Sequence, residues 1–97
     1  MKGTYTFRGM VLPAHLKESL DKYIQEGRPL GHFLTACVDN DLAQAVGRAD
    51  EENLKIIPAI VGYLYAEAPA ACWGFRGCHK AWVHTHFEGK KLATEEN

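Results

Sequence analysis

The stretch that decides the fold is residues 29–74, PLGHFLTACVDNDLAQAVGRADEENLKIIPAIVGYLYAEAPAACWG. Apolar residues recur through it at helical spacing, and small polar residues interrupt them. Residues 32–49 keep one apolar face, but Asp39, Asn40 and Asp41 fall in its middle. Because these side chains bond to their own backbone and favour caps, one long helix and a break at this point both fit the pattern.

The second half of the stretch predicts another helix. Asp50 is a predicted N-cap, and Glu51 and Glu52 follow it in a first turn that favours negative charge. Pro58 predicts a kink within the helix, because the apolar stripe keeps its register on both sides of the proline. The predicted core positions of this stripe are Leu54, Ile57, Val61, Leu64, Tyr65 and Ala68.

Elements on either side complete the predicted fold. An amphipathic helix is expected from near Pro13 to just before Gly27, since proline suits a first turn and glycine a helix end. Residues 4–8 alternate as a short strand would. Because no second strand is predicted to pair with it, we expect this strand either to extend over the core or to pair with a second copy of the chain. A last helix is expected over about residues 77–87, burying Ala81 and Trp82, with Cys78 and Phe87 as further candidates.

The predicted fold class is therefore all-α: a compact bundle of four to five helices with a short extended N-terminal arm. The 97 residues suffice for one domain with its own core. Within it we expect an extended arm at residues 1–11, a helical core at 12–87 and a flexible tail at 88–97.

Composition and charge argue against several classes of partner. A net charge of -1 provides no overall field for nucleic acid. No apolar run approaches the ~20 residues that span a bilayer, and no signal-peptide pattern opens the chain, so no membrane partner is expected. Three cysteines cannot all pair within one chain. Free thiols in a reducing cytoplasm are the prediction.

A series of short segments between residues 13 and 82 forms a recognisable pattern: Pro13-x-His15-Leu16, Tyr23-Ile24, Gly27, Pro29-x-Gly31-x-Phe33-Leu34, Asn40-Asp41-Leu42, Ala49-Asp50-x-x-Asn53, Tyr63-Leu64-Tyr65, Ala68-Pro69 and Cys72-Trp73-Gly74. In this pattern the chain resembles a family of small, mostly uncharacterised proteins encoded by bacteriophages and prophages. The resemblance implies a phage origin and a location in the host cytoplasm, but it implies no activity. That family usually carries Ser-Pro after its Trp-Gly pair, whereas this chain has Phe75, Arg76 and Gly77, so the resemblance does not fix the start of the last helix.

Two groups of side chains are candidate binding residues. The first is the polar set Asn40, Asp41, Arg48, Asp50 and Asn53, which forms either a pocket with Arg48 as an anion clamp or a set of helix caps. The second is aromatic, because flat side chains with polar edges are enriched at recognition surfaces. Among the aromatic residues Tyr63, Tyr65, Trp73 and Trp82, the stripe places Tyr65 and Trp82 in the core and leaves Tyr63 and Trp73 for recognition.

No reaction chemistry is evident in the sequence. The series Cys72, Cys78, His79, His84 and His86 matches no paired zinc spacing. Neither Cys37 nor Cys78 lies in the local signature of a nucleophile. We therefore predict a chain that is not an enzyme and that requires no cofactor or metal.

Three functions fit these observations. The leading hypothesis is a non-enzymatic phage accessory protein that binds and inhibits a bacterial host protein, in particular an effector of antiviral defence. The second is a sponge for a small nucleotide signal, with Tyr65 and Trp73 for the base and Arg48 and Arg76 for phosphate. The third is a metal-binding protein that uses the C-terminal histidines and cysteines. Self-association is expected in each case, since amphipathic helices leave surface to cover.

Overall fold

The computed structural model describes residues 4–86, and most of these residues are helical, as expected. Within this range there are six α-helices rather than four or five, because residues 32–48 and residues 51–67 each form two helices. Phe87 and the expected tail at residues 88–97 lie outside the described residues. In chain order the elements are β1 (Thr6–Phe7), β2 (Met10–Val11), α1 (Ala14–Glu26), α2 (His32–Val38), α3 (Leu42–Arg48), α4 (Glu51–Lys55), α5 (Ile57–Glu67), a 3-10 turn (Ala70–Cys72) and α6 (residues 78–86).

The N-terminal arm is a β-hairpin, so the expectation of a strand without a partner in its own chain is wrong. β1 pairs antiparallel with β2, and Phe7 lies opposite Met10. The two loop residues, Arg8 and Gly9, have φ of 51° and 82°. Positive φ at both positions is the geometry of the type I′ turn, whose twist matches that of paired strands. Arginine in the first of these positions is the reason that the turn was missed.

The hairpin lies across α5 at Gly62. A Cβ atom added to Gly62 would lie 2.6 Å from Cδ1 of Phe7 and 2.8 Å from the hydroxyl oxygen of Tyr5. The glycine therefore allows a close approach of the hairpin, which is one of the two arrangements expected for the arm.

Helix α1 has the predicted bounds. It begins after Pro13 and ends at Gly27, whose left-handed φ of 70° is favourable only for glycine. The Gly27 N–H donates to the Tyr23 carbonyl at 2.9 Å, which satisfies a carbonyl at the helix end. The helix is amphipathic, as expected, and it buries Leu16, Leu20 and Tyr23 on one face.

The break between α2 and α3 occurs at Asn40, one of the two possibilities left open by the sequence. Asn40 has a φ of 59°, which ends α2 in the left-handed conformation that asparagine tolerates. The Asp41 carboxylate then caps α3 by accepting the Gln44 N–H at 3.3 Å. The polar triplet thus acts as a helix end followed by a helix start.

The expected kink at Pro58 is wrong, because the chain forms two helices instead of one. Ile56, with φ of −112° and ψ of 11°, separates α4 from α5. Pro58 is the second residue of α5, where its missing N–H would have had no helical partner. Because of this break, α5 is rotated about its own axis relative to a continuous helix. The residues of α5 that face the core are therefore not all those that the sequence predicted.

The core lies where α1, α2, α5 and α6 meet beneath the hairpin. Of the positions predicted on the stripe, Leu54 and Tyr65 are exposed. In the last helix Ala81 is exposed, contrary to expectation, whereas Cys78 is buried and Trp82 is half-buried. No helix within residues 4–86 combines the length and apolar character needed to cross a bilayer. The buried apolar residues are Leu12, Leu16, Leu20, Tyr23, Leu34, Ala36, Cys37, Val38, Ala45, Ala59, Ile60, Tyr63, Leu64, Cys72 and Cys78.

Candidate functional site

Cys78, His79 and Asp39 come together, and their geometry is that of a structural anchor. The Cys78 thiol donates to the Val38 carbonyl at 3.0 Å, and the His79 N–H donates to Asp39 Oδ1 at 2.9 Å. His79 Nε2 accepts the Leu30 N–H at 3.0 Å, so its lone pair is already used. A general base must hold a free lone pair toward a nucleophile. These contacts instead hold α6 against the end of α2.

The three thiols are buried and poorly ionised. Burial raises the pKa of Cys37 to about 12 and that of Cys72 to about 11, and it also raises the pKa of Cys78. Since the thiolate is the reactive form, none of these cysteines has the electropositive, accessible surroundings of a nucleophile.

The C-terminal histidines have structural neighbours. The ring of His79 stacks on Tyr23 with 5.4 Å between centroids, and burial lowers the pKa of His79 against the opposing effect of Asp39. His86 Nδ1 lies 3.0 Å from the Trp82 carbonyl oxygen. Within residues 4–86, no three His, Cys, Asp or Glu side chains are grouped as metal ligands.

The predicted polar set is distributed along three helix boundaries. Asp50 accepts the Asn53 N–H at 2.8 Å and caps α4, as Asp41 caps α3. Asn53 lies in the first turns of α4, and Asn40 occupies the left-handed position before Asp41. These four residues therefore do what the capping interpretation expects of them.

Arg48 lies at the last turn of α3, where a cation is favourable. Its Nε donates to Gln44 Oε1 at 2.9 Å, and its Nη1 lies 3.5 Å from His32 Nδ1. With Asp39 and Asp41 these side chains line an open depression of about 360 Å³ between α2 and α3. The two carboxylates beside the single guanidinium make this depression unsuited to an anion.

The positions of two tyrosines are the reverse of those predicted. Tyr63, expected at the surface, is buried with 5% exposure, whereas Tyr65, expected in the core, is 77% exposed. The Tyr63 hydroxyl donates to Asp21, and burial together with this hydrogen bond raises the pKa of Tyr63. Asp21 also pairs with Lys17 at 3.0 Å. Only the Lys17–Asp21 link, between residues four apart on a helix, was detectable in the sequence.

Three aromatic residues, Tyr65, Trp73 and Phe75, form what we call the aromatic surface: Tyr65 and Phe75 are exposed, whereas Trp73 is half-buried and packs in part against the core. The rings of Tyr65 and Trp73 meet edge to face with 4.8 Å between their centroids, and Phe75 is half exposed. Aromatic pairs favour this arrangement. Two of the residues that the sequence proposed for binding are thus in contact at the surface.

The loop that carries Trp73 is fixed on both sides of that residue, whereas Tyr65 lies on α5. The Gly74 N–H donates to the Val38 carbonyl at 2.7 Å, and the buried Tyr23 hydroxyl donates to the Cys72 carbonyl at 2.7 Å. Rigid aromatic side chains lose little conformational entropy when a partner binds. The surface is therefore preorganised for recognition.

Arg76 lies next to the aromatic surface, and its side chain is 79% exposed. One guanidinium nitrogen is 3.7 Å from Asp41 Oδ1 at the start of α3. Arg48 lies at the opposite end of the same helix. Of the four residues suggested for nucleotide capture, the structure brings Tyr65 and Trp73 into contact, whereas the contacts of Arg48 and Arg76 are with residues of α2 and α3 and the α3 cap.

Comparison with known proteins adds no assignment: no protein-family model, no curated protein and no solved structure matches the chain.

Proposed function

We propose that this chain is a non-enzymatic bacteriophage accessory protein that binds and inhibits a bacterial host protein, in particular an effector of antiviral defence, in the host cytoplasm. The phage origin rests on the sequence resemblance. The binding role rests on one observation: the exposed ring of Tyr65 on α5 meets the half-buried ring of Trp73, which an anchored loop carries. Tyrosine and tryptophan are enriched among the residues that dominate binding energy.

The chemistry of the cysteines also favours binding over catalysis. Cys37, Cys72 and Cys78 are buried, with raised thiol pKa values, and His79 already accepts a backbone N–H. By contrast Tyr65 and Arg76, with side chains 77% and 79% exposed, are accessible to another molecule.

The test is capture from lysate of the infected host with three tagged proteins: wild type, the double variant Tyr65→Ala/Trp73→Ala, and Val11→Ala. Val11 is an exposed apolar residue on the hairpin, so it controls for loss of surface hydrophobicity. Loss of a binding hot spot costs about 2 kcal/mol or more, which is about 30-fold in affinity. We expect one host protein to be retained by wild type and Val11→Ala and lost from the double variant. Equal retention by all three, or no partner at any stage of infection, would refute the proposal.

The contact of Tyr65 with Trp73, and the exposed guanidinium of Arg76 three residues after Trp73, also support the alternative of a nucleotide sponge, since they offer aromatic faces and a cation. The edge-to-face contact leaves no parallel slot for a base between the rings, which is why we rank it second. Titration calorimetry with cyclic nucleotides and ADP-ribose derivatives separates the two functions. Silence across that panel would remove the alternative.

A further inference from the structure

Helix α6 holds the turn that joins α1 to α2 through a single histidine. The ring nitrogen Nε2 of His79, in the first turn of α6, accepts the Leu30 N–H at 3.0 Å. One helical turn further along α6, the Trp82 indole N–H donates to the Tyr23 carbonyl at 2.8 Å. The first contact holds the α1–α2 turn and the second holds the end of α1.

The contact between His79 and Leu30 requires a neutral ring. A backbone N–H can only donate, so Nε2 must present its lone pair to it. A proton on Nε2 would place two donors face to face at 3.0 Å. Within residues 4–86 the Leu30 N–H has no second acceptor. Protonation of His79 therefore removes the one hydrogen bond that this amide makes.

The surroundings of His79 also favour the neutral ring. Its ring stacks on Tyr23 of α1 at 5.4 Å between centroids, and Cys78 precedes it on α6. Burial raises the pKa of both Tyr23 and Cys78, so neither carries charge in acid. The acidic group that faces His79 is Asp39 at the end of α2, whose Oδ1 accepts the His79 N–H at 2.9 Å. Burial of the ring outweighs this carboxyl, and the pKa of His79 is lowered.

The α1–α2 turn has few other contacts that would hold it closed. Its charged residue, Arg28, pairs with Glu26 at 2.9 Å and not with α6. The Arg28 N–H reaches the Lys22 carbonyl only at 3.4 Å. Leu30 is half-buried against the core, whereas Arg28 and its neighbour Pro29 are exposed. Segments with so few buried contacts open at lower free energy than the domain unfolds.

His86, two turns after His79 on α6, provides a contrast. Its side chain lies so close to Gly27 that a Cβ added there would clash with it. Its Nδ1 lies 3.0 Å from the Trp82 carbonyl oxygen. Since a carbonyl only accepts, this nitrogen carries a hydrogen, and a further proton on Nε2 leaves the bond in place. Of these two histidines, only His79 loses a hydrogen bond on protonation.

We propose that His79 is an acid-sensitive latch: a proton taken up from solvent at Nε2 breaks the bond to the Leu30 N–H and frees the α1–α2 turn from α6, while the helices stay folded. The charged ring keeps the Asp39 carboxyl as a neighbour of opposite charge. Leu30 gains exposure in the open turn. Loss of the proton at higher pH closes the latch again. This device does not depend on the proposed host binding.

Amide hydrogen exchange of the purified ¹⁵N-labelled protein, followed by NMR, tests the latch. The quantity measured is the protection factor of the Leu30 amide, which corrects for the intrinsic effect of pH on exchange. The open turn takes up the proton at the ordinary histidine pKa and the closed turn at a lower one. The protection factor should therefore fall at least about threefold between about pH 7.5 and about pH 5.5.

Two variants identify the titrating group. In His79→Gln the side-chain oxygen does not titrate, so the protection factor of Leu30 should be independent of pH, whatever its value. His86→Gln is the matched control, since it removes the other histidine and should keep the wild-type pH dependence. A pH-independent Leu30 in wild type, full pH dependence in His79→Gln, or its loss in His86→Gln would overturn the proposal.

Urea separates opening of the turn from unfolding of the domain. Up to about 1 M urea should accelerate exchange of the Ile60 amide, which is buried in α5, because global unfolding exposes much surface. Exchange of the Leu30 amide should change much less, since opening the turn exposes little. Equal acceleration of both amides would show that His79 controls only global unfolding, and the latch would be refuted.

Discussion

Replacing Gly62 by alanine tests the packing of the hairpin on α5. In a solvated helix interior, Gly→Ala stabilises by about 0.5–1 kcal/mol, because alanine loses less backbone entropy on folding. At Gly62 the new methyl group would lie 2.6 Å from Phe7 Cδ1, against about 3.5–4.0 Å for an ordinary carbon contact. The ring must therefore move by about 1 Å. Overpacking of this kind costs about 1–3 kcal/mol, so we expect a net destabilisation of about 1 kcal/mol.

The assay is urea unfolding of four proteins: wild type, Gly62→Ala, Phe7→Ala and the double variant. Truncation of Phe7 removes the closest contact and leaves the Tyr5 hydroxyl oxygen at 2.8 Å, so in that background Gly62→Ala should lose most of its destabilising effect. Gly47→Ala in α3 is the matched control, since a Cβ there meets nothing within 4 Å, and it should stabilise. Equal stabilisation by Gly62→Ala and Gly47→Ala in the wild-type background would refute the placement of the hairpin.

Three further predictions concern the anchor points of the fold. Because burial lowers the pKa of His79, the unfolded state takes up the proton first, and stability should fall as pH drops below the ordinary histidine pKa of about 6.5. Replacing His79 by glutamine should remove that part of the pH dependence in urea titrations. Asp50→Ala should cost about 1 kcal/mol through loss of the α4 cap, measured by thermal unfolding. Tyr23→Phe should cost about 1–3 kcal/mol, because the buried Cys72 carbonyl loses its donor.

For each of these predictions, a specific result would contradict it. A glutamine variant that keeps the full acid sensitivity of wild type would show that His79 is not buried as a neutral ring. Asp50→Asn retains a capping oxygen, so a loss equal to that of Asp50→Ala would exclude the capping role. Unchanged stability of Tyr23→Phe would mean that the hydroxyl does not reach Cys72 in solution.

The parts of the fold that the sequence predicted correctly are those set by local chemistry. Pro13 and Gly27 mark the ends of α1, and Asp50 caps α4, because these residues act on their own backbone. The face of α5 was predicted wrongly because Ile56 has no sequence signature of a break, and an interruption there rotates every later position. For this reason Tyr63 is buried and Tyr65 is exposed, which is the reverse of the prediction.

The sequence could not predict contacts between residues that are far apart in the chain. Nothing in the pattern links Asp39 to Cys78 and His79, which meet only because α6 packs on the end of α2. The contact of Tyr65 with Trp73 also depends on where the loop returns to α5. Trp73 was nevertheless proposed for recognition, because a tryptophan outside the predicted helices is a signal that needs no tertiary information.

Site-specific photo-crosslinking in the infected host tests the central claim, that the aromatic surface contacts a host protein. Benzoylphenylalanine replaces Tyr65 in one protein and Val11 in another, and both positions are exposed. We predict one host protein crosslinked from position 65 and none from position 11. The same crosslinks from both positions, or none from position 65 throughout infection, would contradict the claim.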